Sequence, residues 1–210
     1  MKKKLPTKIP IFPISGVIYF PKTNLPLNIF EPRYLKLVKD CMEKDKYMGL
    51  IQFKKYNDEV YKVGCLGKIT EHKKMADGKV VINLTGINRF EILSEVNKEK
   101  LYREFEVTYE KFSVDTDLTN LKKISDVEME KLFEKTKTFF IKNGLLLDWN
   151  EFVKLDEDQK INTLSMIAPI SNEEKQKLLE TVDISGKAKI LSEIIEFYLY
   201  ETEANRATIQ

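Results

Sequence analysis

The apolar positions of this chain change their period once. Up to about residue 115 they fall in short runs rich in β-branched and aromatic residues, broken by turn signals, a pattern that predicts strands over 8–12, 25–30, 48–53, 64–73, 79–85, 90–96 and 105–112. Asp77-Gly78, between two of these runs, predicts a tight primed hairpin, because both residues tolerate positive φ. One helix interrupts the strands: Tyr34, Leu37, Val38, Cys41 and Met42 form a 3.6-residue stripe behind Pro32, whose missing N–H suits a first turn. Several short strands at this spacing favour a closed or nearly closed barrel, with that helix plugging one end.

Beyond residue 117 the period becomes helical. Leu121, Ile124, Met129, Leu132, Thr136 and Phe139, flanked by Phe133 and Phe140, mark a long amphipathic helix that stops at Asn143-Gly144. A second helix is expected over 156–168, with Ile161, Leu164, Met166 and Ile167 as its apolar positions. Ser171 and Glu174 form a capping box for a third, and a fourth runs over about 185–204. The expectation is an α+β chain: a β-rich subdomain over 1–115, a helical bundle over 116–205 and a flexible tail over 206–210, with the polar stretch 115–119 as the hinge.

Composition narrows the chemistry. The 210 residues carry 35 basic and 33 acidic side chains, a net charge of +2 that does not point to nucleic acid or an anionic membrane. No run reaches the roughly 20 apolar residues of a membrane helix. Cys41 and Cys65 stand without a secretory signal, which favours reduced thiols and a cytoplasmic setting. The three Gly-Lys pairs are followed by Ile69, Val80 and Ala188, where a phosphate-binding loop needs a hydroxyl, so nucleotide hydrolysis is not expected. Asp115-Thr116-Asp117 resembles the opening of a calcium loop, but Asn120 stands where glycine is needed; a turn and helix cap fit better. His72 reads as a solvent-facing histidine beside a hairpin. No catalytic residue, cofactor site or metal site is expected.

Arginine is the informative residue, since only four of the 35 basic positions carry it: Arg33, Arg89, Arg103 and Arg206. Phe30-Glu31-Pro32-Arg33-Tyr34 joins a carboxylate, a guanidinium and two aromatics at a strand-to-helix junction. Gly86-Ile87-Asn88-Arg89-Phe90 places another arginine at an expected tight turn, where Gly86 and Asn88 can adopt positive φ. Their planar, multi-donor heads suggest either bracing of loops through carbonyls and Glu31, or direct contact with a ligand. Both alternatives stand open at this level.

The order of segments resembles the N-terminal, substrate-recognition domain of the ATP-dependent Lon proteases. The resemblance lies in Pro10-Ile11-Phe12-Pro13-Ile14, Phe20-Pro21, the 25–34 string, Val63-Gly64-Cys65, Asp77-Gly78, the 86–90 string and the helical 164–180 region. It implies a PUA-like pseudo-barrel followed by a helical bundle, and a stand-alone bacterial form without that family's ATPase and serine–lysine protease modules. Two positions depart from the family: Cys65 after Val-Gly, and Lys187 where an arginine is common.

The resulting expectation is a non-catalytic module that binds unfolded or apolar polypeptide segments in a groove between barrel and bundle. Phe30, Glu31, Arg33, Tyr34, Arg89 and Phe90 are its candidate peptide-binding or structural residues, and a separate protease or chaperone is a further expected partner. The alternative is RNA binding, which other PUA-like folds perform; balanced charge and scarce arginine count against it.

Overall fold

The computed structural model describes residues 4–54, 59–96, 99–116 and 124–208. Leu121, Asn120, residues 117–119 of the expected hinge and residues 209–210 of the expected tail lie outside them. Two compact units are present, Met1–Leu118 and Thr119–Gln210.

The first unit contains one mixed sheet. Its strands are β1 (Lys8–Ile14), β2 (Asn24–Ile29), β3 (Tyr47–Gln52), β4 (Val63–Lys74), β5 (Val80–Glu95) and β6 (Arg103–Thr108), with helix α1 (Pro32–Met42) between β2 and β3. Strand order is β2-β5-β4-β3-β1-β6, and β6 pairs again with β5, so the ladder through β5, β4, β3, β1 and β6 returns on itself. β1 and β3 pair in parallel, which the intervening β2 and α1 make possible by carrying the chain back across the sheet. Pro26, mid-strand in β2, is tolerated because among the described residues β2 has a partner strand on one side only, β5.

Alternation places Ile9 and Ile11 of β1 inward beside Ile51, Leu66, Phe90, Phe105 and Val107. Phe90 lies in a slot between two glycines. A Cβ on Gly49 would come within 2.9 Å of its ring, and one on Gly64 within 2.6 Å. α1 buries Tyr34, Leu37, Val38 and Cys41, four of the five positions of the expected stripe, leaves Met42 half-buried, and packs against β1, with the Tyr34 ring 4.2 Å from that of Phe12.

Three expectations need correction. The runs 79–85 and 90–96 are one strand, β5, and the string between them is no turn. Gly67 pairs with Gly86 and Leu66 with Asn88, so the ladder crosses a bulge at Ile87 and continues. Positive φ occurs at neither Gly86 nor Asn88. Glycine is needed at 86 for room: a Cβ there would fall on the Phe20 carbonyl oxygen, because the backbone of Lys22 and Thr23 exchanges hydrogen bonds of 2.9 Å with Gly86. Second, the hairpin at Asp77-Gly78 has a three-residue loop, closed by Met75 and Lys79, in which only Gly78 takes positive φ. Third, the run 105–112 ends as a strand at Thr108 and becomes a 3-10 helix, η1 (Glu110–Asp115), packed on β5.

The second unit holds α2 (Asp126–Lys142), α3 (Trp149–Phe152), α4 (Glu157–Ile167), α5 (Asn172–Glu180) and α6 (Ile184–Thr208). Caps set the starts. Ser125 with Glu128 and Ser171 with Glu174 form capping boxes, and Asp156 accepts from the Gln159 N–H. α2 ends at Asn143, and Gly144 follows with φ +68°. The short α3, which the periodicity does not reveal, is capped by Asp148 and stacks Trp149 and Phe152 edge to face. Buried Leu191, Ile195 and Ala188 make α6 the element on which α2, α4 and α5 pack. Lys187 is buried with them, its Nζ donating to Asn162 Oδ1 at 2.7 Å.

Gly86→Ala should lower unfolding stability by about 2–3 kcal/mol through overpacking against a backbone that cannot retreat. Urea denaturation of the purified chain measures it, and a loss below about 0.5 kcal/mol would contradict the close approach.

Candidate functional site

The first arginine string sits where β2 hands over to α1. Glu31 occupies the N-cap in extended backbone, but its carboxylate does not cap the helix. It accepts from Arg33 instead, at 3.0 Å from Nε and 2.9 Å from Nη2. The guanidinium also lies 4.5 Å from the centroid of the Tyr34 ring. Burial pushes the Tyr34 hydroxyl above its ordinary value, while Arg33 and Arg103 pull it the other way. Phe30 is 62% exposed, a large aromatic facing solvent.

The second string is internal. Arg89 is 2% exposed, and its Nη2 lies 2.6 Å from Asp115 Oδ1. The same carboxylate accepts from Arg89 Nε and from the Arg89 backbone N–H. The guanidinium packs 4.4 Å from the Phe112 ring, and Asn88 Nδ2 donates to the Phe112 carbonyl. These contacts fasten η1 to β5. Phe90 is wholly buried between the two glycines, so it offers no surface to a ligand; its expected contact role is corrected to a core role, because the strand continues through it. The structure therefore separates the six candidates: Phe30, Glu31, Arg33 and Tyr34 lie together at the α1 entrance, and Arg89 and Phe90 lie inside.

Beside the α1 entrance opens a cleft of about 520 Å³. Arg33 and Tyr34 of α1, Pro13 at the end of β1, Phe53 after β3, Glu95 and Val96 at the end of β5, and Leu101, Tyr102 and Arg103 at the start of β6 contribute to its walls. Strand ends supply these walls, and loops there are free to vary without disturbing the sheet. Leu101 is 71% exposed. Arg103 holds Glu95 with two hydrogen bonds of 2.8 Å, and Tyr102 donates to Asp40 at 2.8 Å. Sequence reading missed the 101–103 segment. Its signal was there in Arg103, the third of the scarce arginines, but nothing local showed that it returns to Arg33.

Elsewhere, His72 lies exposed on β4. Cys41 and Cys65 are buried and unbridged, and burial pushes the Cys41 thiol up to about 12, which keeps it protonated and unreactive near neutral pH. Among the described residues no helix is long and apolar enough to cross a membrane.

The family model of the ATP-dependent protease La (LON) substrate-binding domain matches residues 8–196, and the chain belongs to that family. The Lon protease of Syntrophus aciditrophicus is 30% identical over 213 residues, covering 93% of this chain and 26% of that protein. The chain thus spans about a quarter of the length of the curated relatives it matches. Among solved structures, a Lon N-terminal domain protein from Xanthomonas campestris superposes with a TM-score of 0.66 at 18% identity, over 89% of this chain and 97% of that one. The N-terminal domain of the Mycobacterium avium complex Lon protease gives 0.63 at 17%, over 90% and 98%. These two share the fold.

Arg89→Ala should destabilise the chain by about 3–5 kcal/mol, because it leaves Asp115 buried without its counter-charge. Arg33→Ala, at an exposed pair, should cost no more than about 1 kcal/mol. Parallel denaturation curves test the contrast, and equal losses would contradict the assignment of one arginine to the interior and one to the surface.

Proposed function

We propose that this chain is a non-catalytic module that binds unfolded or apolar polypeptide segments, built on a PUA-like pseudo-barrel with a helical bundle after it. The observation that carries the reading is the cleft at the α1 entrance, where the half-buried Phe53 and the exposed Leu101 offer apolar surface over the buried Tyr34 and Pro13, with Phe30 exposed on the segment that leads into α1. A concave site of a few hundred Å³ that combines aromatic and aliphatic side chains with charged ones suits capture of side chains from an extended chain. Membership of a substrate-binding domain family supports the same reading. Arg33 would meet the client, and Arg89 would brace the scaffold that presents the cleft. Chemical work on a bound segment falls to a protease or chaperone that acts with the module.

Fluorescence anisotropy with labelled, permanently unfolded polypeptides should give dissociation constants of about tens of micromolar or tighter. Leu101→Asp and Phe30→Asp should each weaken binding about fivefold or more while the chain stays folded. Absence of affinity for any unfolded client, or cleavage of casein by the pure protein without ATP, would overturn the proposal.

A further inference from the structure

The charges around the cleft narrow its ligand, an inference that rests on the polypeptide-binding reading above. Arg33, Lys100 and Arg103 face the cleft as cations, and Glu59 and Glu95 as anions. The two anions are engaged. Glu95 is held bidentately by Arg103, and Glu59 lies 3.2 Å from Lys54. Arg33 and Lys100 differ, because their carboxylate partners, Glu31 at 2.9 Å and Glu104 at 2.7 Å, do not line the cleft. A carboxylate entering it would compete with Glu31 and Glu104 for these two cations.

Side-chain exposure points the same way. Arg33 and Glu31 are about half exposed, and pairs of that kind contribute little and exchange readily. The guanidinium stacked on Tyr34 is preset in orientation, and an incoming planar carboxylate would take its forked contact by displacing Glu31 from Nε and Nη2. Apolar contact comes from Tyr34, Phe53 and Leu101 in the same walls.

We infer that the cleft takes a polypeptide segment in which a bulky apolar side chain stands next to an Asp or Glu side chain, the apolar group against Tyr34, Phe53 and Leu101 and the carboxylate between Arg33 and Lys100. Segments with lysine or arginine at the same place are disfavoured by the two cations.

The test uses the full chain and four labelled peptides, all acetylated and amidated so that only side-chain charge varies: Phe-Leu-Asp, Phe-Leu-Asn and Phe-Leu-Lys in one neutral host sequence, and Ala-Ala-Asp in the same host. Anisotropy at about 0.1 M salt should show Phe-Leu-Asp binding about fivefold tighter than Phe-Leu-Asn, as expected for one partly exposed charge contact, and that ratio should approach one at about 1 M salt. Phe-Leu-Lys and Ala-Ala-Asp should bind more weakly than Phe-Leu-Asn and Phe-Leu-Asp respectively. The Arg33→Gln/Lys100→Gln variant, checked for an unchanged denaturation midpoint, should bring the Asp-to-Asn ratio to about one at low salt. Lys111→Gln, on η1, should keep it. Equal affinity for Asp and Asn peptides, tighter binding of the Lys peptide, or a ratio that survives the double substitution would overturn the inference and leave polypeptide binding standing. Binding that appears only when a free C-terminus is restored would overturn it in favour of α-carboxylate recognition. Binding of none of the peptides, together with none of the unfolded clients, would overturn both.

Discussion

The ion pair between Arg89 and Asp115 holds the first unit in register. β5 is a 16-residue strand that pairs with β2, β4 and β6, and it crosses a bulge on the way. Such a strand has several ways to slip, and a slip by one residue would turn its inward side chains outward. Asp115 removes that freedom by accepting from the backbone N–H and the guanidinium of one residue, Arg89, just past the bulge. Phe90, next in line, then reaches the slot between Gly49 and Gly64. Fixing these two neighbours fixes how β5 meets both β4 and β6, and so closes the ladder.

The cleft inherits its shape from that closure. Glu95 and Val96 end β5, and Leu101 to Arg103 begin β6, so the return of β6 onto β5 brings the 101–103 segment beside the α1 entrance. Two arginines and a lysine meet there from segments nearly 70 residues apart. Lysine serves at most basic positions of this chain. The three arginines with described side chains stand where a planar fork is used: Arg89 buried against Asp115, Arg33 stacked on Tyr34, and Arg103 stacked on Phe105 and clamped to Glu95. Scarcity of arginine was therefore a reading of geometry, although the geometry differed between the two strings.

Helices α4, α5 and α6 were legible to within a residue at their starts, and Asp156 and Ser171 hydrogen-bond to their own first turns; α2 starts only at Asp126, beyond the Ile124 expected within it, and α3 was not foreseen. Those bonds are local, and the residues that make them are adjacent in sequence. Strands were legible in number less well than in position. Gly86-Ile87-Asn88 carries the composition of a turn, yet the glycine answers to the backbone at Phe20, more than 60 positions away in the chain. Of the six candidate residues, Phe30, Glu31, Arg33 and Tyr34 lie together because a strand end, a helix start and an exposed aromatic occupy one short string. For Arg89 the bracing alternative is the one the structure shows, and Phe90 lies in the core and not at a surface, because burial depends on η1 and on two distant glycines.

The sequence by itself determined the α+β class, the change of period near residue 115, the helix caps and the family, because each is written in residues close together or in a pattern repeated along the chain. Tertiary structure alone decided which arginine is a brace and which faces a cleft, and which carboxylates stand with them. Those roles depend on burial and on partners supplied by other strands, and a side chain's charge has the same formal value in either place until the fold sets how much water and how many counter-charges surround it.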